Sequence, residues 1–284
     1  MKLRRSVLYV PGNKQRALEK SRSLSVDCVV YDLEDSVGPA AKDEARDRVV
    51  IALAAENTTG QERIVRVNGL QSDWVEQDLA IMKQAGADAI LLPKISTADD
   101  VLSYRKLLGK QDKGIPAFWI MAETAAGILN MSSIAAADPA ISTIMMGLED
   151  LAMETRIRHT AGREGFLYAL SACVIAARAH GLDIIDGVYT ALEDEAGFMA
   201  ECRQGNTLGF DGKSLVHPRQ VEICNQCFSP SADEVVWAEK IVAVWEQQNE
   251  GQSVVVVNGR MIEHLHVSEA RRVLALAAAV DTKT

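Results

Sequence analysis

Positive charge is the first thing this sequence lacks. Thirty lysines and arginines stand against 39 aspartates and glutamates, giving a formal net charge of −9 and an isoelectric point near 5.2. Broad nucleic-acid binding neutralises many phosphates with Lys and Arg, so small molecules are the expected partners, and neither nucleic acid nor membrane is. The first residues are expected to be neither a signal peptide nor a membrane span: MKLRRSVLYVPGNK is basic but holds only the four-residue apolar run Val7–Val10 before Pro11. The cysteines do not suggest a disulfide framework. There are five, Cys28, Cys173, Cys202, Cys224 and Cys227, an odd number that points to a reducing, cytoplasmic compartment. Cys224 and Cys227 form a CxxC, which leaves half a zinc site or a redox pair as an alternative, but a second CxxC and a nearby HxxxH are both wanting. No GxGxxG follows the first apolar run, and no P-loop or kinase-type glycine loop occurs. Nucleotide hydrolysis is therefore not indicated, and an open dinucleotide-binding sheet ranks second.

What the chain does have is length and rhythm. Its 284 residues, 48% hydrophobic and 24% charged, suffice for one large α/β barrel or two smaller domains. Short apolar runs recur at Val7–Val10, Cys28–Leu33, Ile64–Val67, Ala89–Leu92, Ala117–Ala122, Ile141–Met146, Leu182–Ile185 and, more weakly, near Ser214–Val216. Between most of them lie segments with helical spacing. Strands alternating with helices give a parallel sheet, and near-continuous apolar strands are buried on both faces. The expected fold is a (β/α)₈ TIM-type barrel over residues 1–228, with a C-terminal helical extension over 229–284 acting as lid and subunit contact. In that extension Ser231–Gln248 reads as a helix capped by Ser231, with Asp233 and Glu234 in its first turn. A turn at Glu250-Gly251, the run Ser253–Val257, a turn at Asn258-Gly259 and a last helix from about Ser268 to Val280 follow. His264 and His266 alternate around Leu265, but no third metal ligand stands beside them.

In such a barrel the residues just after each strand form the active face. Here they are Pro11-Gly12-Asn13, Glu34-Asp35, Arg66 to Asn68, Pro93-Lys94, Glu123-Thr124, Glu149-Asp150, Asp186 and His217-Pro218. Glu123 and Asp150 emerge from consecutive strands on one rim, where adjacent carboxylates repel unless a cation or a shared proton sits between them. A hard divalent ion such as Mg²⁺ suits a pair of carboxylates and keeps its other positions for water and substrate oxygens. Both positions equally suit helix-capping or first-turn acids, and the strand-end argument alone leaves both readings open. Arg66 stands among acidic strand ends; its planar fork holds carboxylates, so it is the candidate anchor for a carboxylate or keto-acid substrate, with a structural salt bridge as the alternative. The first unit is basic, with Lys2, Arg4, Arg5, Lys14, Arg16, Lys20 and Arg22 against Glu19 alone. Gly12-Asn13 opens a helix there, a place that receives phosphates, although a solvated basic helix face fits the same residues.

The motifs SVLYVPGN, DCVVYDLEDSVGPAAKDEAR, RVN, LLPK, IMAETAAGI, MGLEDLA and GFDGKSLVHPRQV occur in this order along nearly the whole chain. Together they resemble the citrate lyase beta-subunit-like family of the HpcH/HpaI aldolase superfamily, which also contains malyl-CoA, methylmalyl-CoA and citramalyl-CoA lyases. The resemblance implies a TIM-type barrel, assembly as homotrimers or hexamers, and Mg²⁺-dependent cleavage or formation of a carbon–carbon bond between an acyl thioester and a 2-oxo acid. It implies Glu123 and Asp150 as metal ligands, Arg66 as the grip on the keto-acid portion, shared with Glu123, and Glu34 as an acid orienting metal-bound water or substrate. Less specifically, it implies Asn13 and Arg16 facing coenzyme A phosphates. Stand-alone CoA lyases of the family often carry an aspartate after the MI pair of the tail, contributed by the adjacent subunit's lid as acid/base. This chain has Glu263 there, longer by one methylene. A CoA thioesterase, a citrate lyase beta subunit or a non-catalytic acyl-CoA binding protein are the alternatives the same motifs leave.

Overall fold

The computed structural model describes residues 2–109, 116–247 and 253–283. Its packing divides the chain into two compact units, Arg4–Cys227 and the remainder.

In the first unit eight parallel strands close into a barrel in sequence order, with β8 returning to pair with β1. The elements run β1 (Ser6–Pro11), α1 (Gln15–Ser21), β2 (Cys28–Asp32), α2 (Lys42–Ala54), β3 (Glu62–Arg66), α3 (Val75–Ala85), β4 (Ala89–Leu92), α4 (Ala98–Leu108) and β5 (Ala117–Ala122). Two short helices, α5 (Ala125–Leu129) and α6 (Met131–Ala135), lead to β6 (Ile141–Met146). Then come α7 (Leu148–Thr155), α8 (Leu167–Ala179), β7 (Asp183–Asp186), α9 (Glu195–Leu208), β8 (Gly212–Leu215) and α10 (Val221–Cys227). The TIM-type barrel expected from the apolar runs is the observed fold. Three strands, β4, β5 and β6, have the bounds the runs predicted, and the others differ by a residue or two at their ends.

Strands such as β2 and β4 are buried along their whole length, because helices cover one face and side chains fill the barrel from the other. The filling is Val7, Val30, Ile64, Leu91, Trp119, Met121, Met145 and Ile185, all buried. The N-terminal end of the barrel is closed by an ionic plug rather than by more hydrocarbon. Arg4 donates to Glu62 through Nε and Nη2 at 2.7 and 2.9 Å, and through Nη1 to Asp183 at 2.6 Å and Thr143 at 2.9 Å, with its guanidinium 5.0 Å from the Trp119 ring. Arg5 is likewise buried against Asp27 at 2.8 Å. Two of the cations read as part of a basic phosphate-facing unit are therefore structural and lie at the opposite end of the barrel from the strand C-termini. Closure also needs a residue without Cβ at the start of β8, where a Cβ on Gly212 would lie 1.9 Å from the Arg4 carbonyl oxygen.

In the second unit Ser231 and Glu234 form a reciprocal capping box that starts α11 (Ala232–Glu246). The helix end expected at Gln248 and the turn at Glu250-Gly251 lie outside the described residues. β9 (Val254–Val257) and β10 (Arg260–Glu263) form an antiparallel hairpin, a strand more than the apolar run alone suggested. Its turn, Asn258-Gly259, has φ of 50° and 76°, the paired left-handed residues of a type I′ turn, for which Asn-Gly is the favoured dipeptide. α12 (His264–Lys283) starts four residues before the sequence reading placed it. The cause is local: the Glu263 N–H donates to His266 Nδ1 at 2.9 Å, so a ring acceptor satisfies a helix-start donor. Val255, Val257 and Ile262 face a core of Ala238, Ile241, Val267 and Ala270.

Candidate active site

The candidate site is built on the C-terminal ends of β2 to β6. Asp32 and Arg66 are the last residues of β2 and β3 and stand opposite each other in the ladder. Arg66 turns its fork onto that neighbour, with Nε and Nη2 donating to the two Asp32 carboxylate oxygens at 2.7 Å each. Asp32 also receives the backbone N–H groups of Glu34 and Ser36 at 2.9 and 3.1 Å. Burial pushes the Asp32 carboxyl up, but the Arg66 charge and these hydrogen bonds outweigh it and hold it below the usual carboxylate range. The Tyr9 ring lies 5.0 Å from the guanidinium, a cation–π platform. The fork expected to take a substrate is thus largely held by Asp32, and Nη1 is the end that remains. Glu34 Oε2 lies 2.9 Å from Nη1 without hydrogen-bond alignment, and Asp35 Oδ2 lies 3.6 Å away.

The β2 loop that carries Glu34 is pinned from below. Lys42 is buried and donates through Nζ to the carbonyls of Leu33 and Glu34 at 2.7 Å each and to Asn68 Oδ1 at 2.6 Å. A buried ammonium bonded to three oxygens fixes the loop's backbone, leaving the Glu34 carboxylate to respond to its electrostatic surroundings. Burial, with Asp35 and Asp32 nearby, outweighs the attraction of Arg66 and Lys94 and pushes Glu34 up to about 7.

Glu123, directly after β5, is 1% exposed. Its Oε1 accepts the Lys94 backbone N–H at 2.6 Å, while Oε2 is buried with no hydrogen-bond partner among the described residues. The carboxylate is walled in by the backbone after β6: a Cβ on Gly147 would lie 2.5 Å from Glu123 Cβ and 2.6 Å from Oε2. Burial, reinforced by the negative potential of Glu34 and Asp150, pushes Glu123 up to about 8. Asp150 sits half-buried in the first turn of α7, next to the exposed Glu149. Lys94 Nζ lies 3.3 Å from Glu34 Oε1 and 3.6 Å from Asp35 Oδ1.

These contacts bring Arg66, Glu34, Glu123 and the neighbouring Asp150 into one electrostatic cluster. Among the described residues no group of three His, Cys, Asp or Glu side chains is placed to hold a metal unaided. The donor set nevertheless fits Mg²⁺, which takes one or two carboxylates and fills its remaining positions from water and substrate. An acceptor left orphaned in a buried, acid-rich pocket is costly unless a cation meets it, and Glu123 Oε2 is such an acceptor.

Asn13 and Arg16 lie apart from this cluster in the contacts they make. Asn13 follows β1, its carbonyl accepts from Arg48, and its side-chain Oδ1 is buried without a hydrogen-bond partner among the described residues. Arg16 is exposed on α1. Glu263 belongs to the second unit, at the end of β10, in a shallow cleft with Val254, His264, Leu265, Ser268 and Arg272. The two residues of the CxxC lie on α10, where the buried Cys224 thiol donates to the Arg5 carbonyl at 3.1 Å. Asp32 and Tyr9 were not singled out from sequence. An acid inside the otherwise apolar run Cys28–Leu33 is the signal that marks Asp32.

Residues 5–218 match the family described as HpcH/HpaI aldolase/citrate lyase. The (3S)-malyl-CoA thioesterase of Cereibacter sphaeroides strain KD131 is 46% identical over 277 residues, 97% of this chain and 95% of that protein. The mitochondrial citramalyl-CoA lyase of Homo sapiens is 33% identical over 303 residues, 99% of this chain and 87% of that protein. Among solved structures, CitE from Mycobacterium tuberculosis, in complex with magnesium, acetoacetate and coenzyme A, superposes with a TM-score of 0.80 at 25% identity, covering 96% of this chain and 97% of that one. A barrel with an acid cluster on its C-terminal face, matched over nearly its full length by these relatives, belongs to the HpcH/HpaI aldolase/citrate lyase family.

Proposed function

We propose that the chain is a Mg²⁺-dependent carbon–carbon lyase that cleaves, or in reverse forms, a 3-hydroxyacyl-CoA of the malyl-CoA or citramalyl-CoA type, giving an acyl-CoA and a 2-oxo acid. The observation that carries this reading is the buried Oε2 of Glu123, without a hydrogen-bond partner among the described residues, which shares its acidic surroundings with Asp150 and Glu34. Glu123 and Asp150 would hold the ion, which when bound supplies the positive charge that favours ionisation of the substrate hydroxyl and offsets charge on the developing keto acid.

The protein's own groups account for the remaining work. Arg66 offers its Nη1 edge to the substrate carboxylate, and Asp32 and Tyr9 keep the guanidinium from turning away. Glu34, held up to about 7, accepts or returns a hydrogen bond from the hydroxyl and orients it. In cleavage the hydroxyl proton passes to a base, the carbon–carbon bonding pair moves onto the thioester as an enolate, and an acid protonates the enolate carbon to release acyl-CoA. Glu263, brought by the C-terminal unit of an adjacent copy in a homotrimer or hexamer, fills that acid/base role. It shares the solvent-facing side of the hairpin with Val254, Val256 and Met261, which are 40, 68 and 61% exposed, an apolar surface suited to a subunit contact. Asn13 and Arg16 are assigned to the phosphates of coenzyme A. Five free cysteines suit a cytoplasmic setting, and no helix among the described residues is long and apolar enough to cross a membrane.

Thioester hydrolysis is the second reading. It is favoured by one observation, the 46% identity to a (3S)-malyl-CoA thioesterase against 33% to a citramalyl-CoA lyase. Incubating the purified protein with both configurations of malyl-CoA and citramalyl-CoA, in Mg²⁺ and then in EDTA, separates the two. Equal amounts of acyl-CoA and 2-oxo acid, abolished by EDTA, establish the lyase. Free CoA with the intact hydroxy acid and no 2-oxo acid establishes the thioesterase.

A further inference from the structure

Lys94 carries a backbone conformation that its side chain does not favour. It follows Pro93 at the end of β4 and has φ of 54°, in the left-handed region that residues bearing a Cβ adopt rarely. Two contacts accompany it. The amide N–H points at Glu123 Oε1, 2.6 Å away, and the ammonium lies 3.3 Å from Glu34 Oε1. Oε1 is capped by the amide, a Cβ on Gly147 would crowd the Glu123 Cβ and Oε2 at 2.5 and 2.6 Å, and Oε2 is the oxygen left without a hydrogen-bond partner among the described residues.

We propose, resting on the metal reading above, that Lys94 is a positioning residue. Its left-handed backbone commits Oε1 of Glu123 to a hydrogen bond within the protein, so that Oε2 alone is presented to the divalent cation. The amide does this work and the ammonium does not: an amide donates to a carboxylate oxygen whatever side chain it carries, provided the backbone points it there. The half-exposed ammonium faces the acid pair Glu34 and Asp35 instead.

Backbone and charge are separated by two substitutions that both remove the ammonium. Lys94→Gly enters the left-handed region freely. Lys94→Val resists it, because a β-branched residue at positive φ is strongly disfavoured. Mn²⁺ binding to the full chain, read from the electron paramagnetic resonance signal of the free ion, and Mg²⁺ binding by calorimetry give the affinities without any need for turnover. Lys94→Gly is expected to bind within about threefold of the parent, and Lys94→Val to bind about tenfold or more weakly, the scale of a lost hydrogen bond to a charged group. Equal losses in both variants would overturn the proposal in favour of the ammonium's charge, and no loss in either would show that the amide is dispensable. The metal reading is tested separately by Glu123→Gln: a parent protein that binds no Mn²⁺, or a Glu123→Gln variant that binds it undiminished, rejects that reading itself. Unfolding midpoints in EDTA verify folding, and Lys94→Thr serves the same comparison if the valine variant does not fold.

Discussion

Two carboxyls in the site, Glu123 at about 8 and Glu34 at about 7, lie far above their ordinary value of 4.5, and that displacement links proton, metal and stability. In the metal-free protein each is protonated in the folded state and ionised in the unfolded chain between 4.5 and its own raised value. The folded state therefore binds more protons, and stability falls as pH rises from about 4.5 through 8. Thermal unfolding in EDTA should show a midpoint that drops between pH 5 and pH 8, and saturating Mg²⁺ should restore most at pH 8, where within that range the proton competes least with the ion. Glu123→Gln should flatten much of the slope in EDTA while abolishing the Mg²⁺ effect. An unchanged slope in that variant would place the linkage elsewhere. At Arg66 the sensitivity is geometric: Lys keeps the charge but has no fork for the two 2.7 Å bonds to Asp32. A misplacement near 1 Å costs on the order of a hundredfold, so steady-state kinetics of Arg66→Lys should show kcat/KM falling by about that factor. The sequence pointed to Arg66, Glu34, Glu123 and Asp150 because polar residues at strand ends stand out against apolar runs. Asp32 is marked only as an acid inside such a run, and Lys94, although it stands at a strand end, meets Glu123 through its backbone N–H, a contact no side-chain pattern reports.

At the scale of elements, strands were legible where burial on both faces leaves a continuous apolar run, as in Ala117–Ala122, and less so where charge enters the strand. β3 begins with Glu62 and β7 ends with Asp186, and β8 carries Lys213 fully buried between Asp186 at 3.1 Å and Glu201 at 2.6 Å. These charges look like loop residues in sequence and become strand residues only because partners from other elements meet them. The Arg4 plug is the clearest case, joining the lead-in to β1 with β3, β6 and β7. Truncating one member of a buried pair leaves the other charge unmet and costs about 3–5 kcal/mol. Arg4→Ala should therefore destabilise the protein by about that much in urea unfolding, with Mn²⁺ affinity of the remaining folded protein unchanged, since the plug and the acid cluster occupy opposite ends of the barrel. A loss of affinity without loss of stability would contradict that separation. Gly212 in β8 predicts a companion effect: its missing Cβ admits the Arg4 and Arg5 carbonyls at 1.9 and 2.5 Å, so Gly212→Ala should lower the unfolding midpoint by forcing the β8–β1 seam apart.

At the scale of the whole molecule, the proposed lyase reaction needs an acid to protonate an enolate, and Glu263 is the residue proposed for it. Glu263 stands on a hairpin face whose other members, Val254, Val256 and Met261, are apolar and open to solvent. A head-to-tail ring would cover one copy's hairpin with the next copy's surface. If each site combines Arg66 and Glu123 of one copy with Glu263 of its neighbour, two inactive variants complement each other. Arg66→Met spoils its own barrel but carries an intact Glu263; Glu263→Gln carries an intact barrel. Mixed in equal amounts and allowed to exchange subunits, they should form sites of which about a quarter pair an intact barrel with an intact Glu263, as random assembly in a closed ring requires. Lyase or thioesterase turnover should then recover to about that fraction of the parent. Sedimentation would show whether the mixed species is a trimer or hexamer. If exchange is verified by mass and no activity returns, Glu263 is not supplied in trans, and the tail acid has no part in the chemistry of a neighbour's barrel.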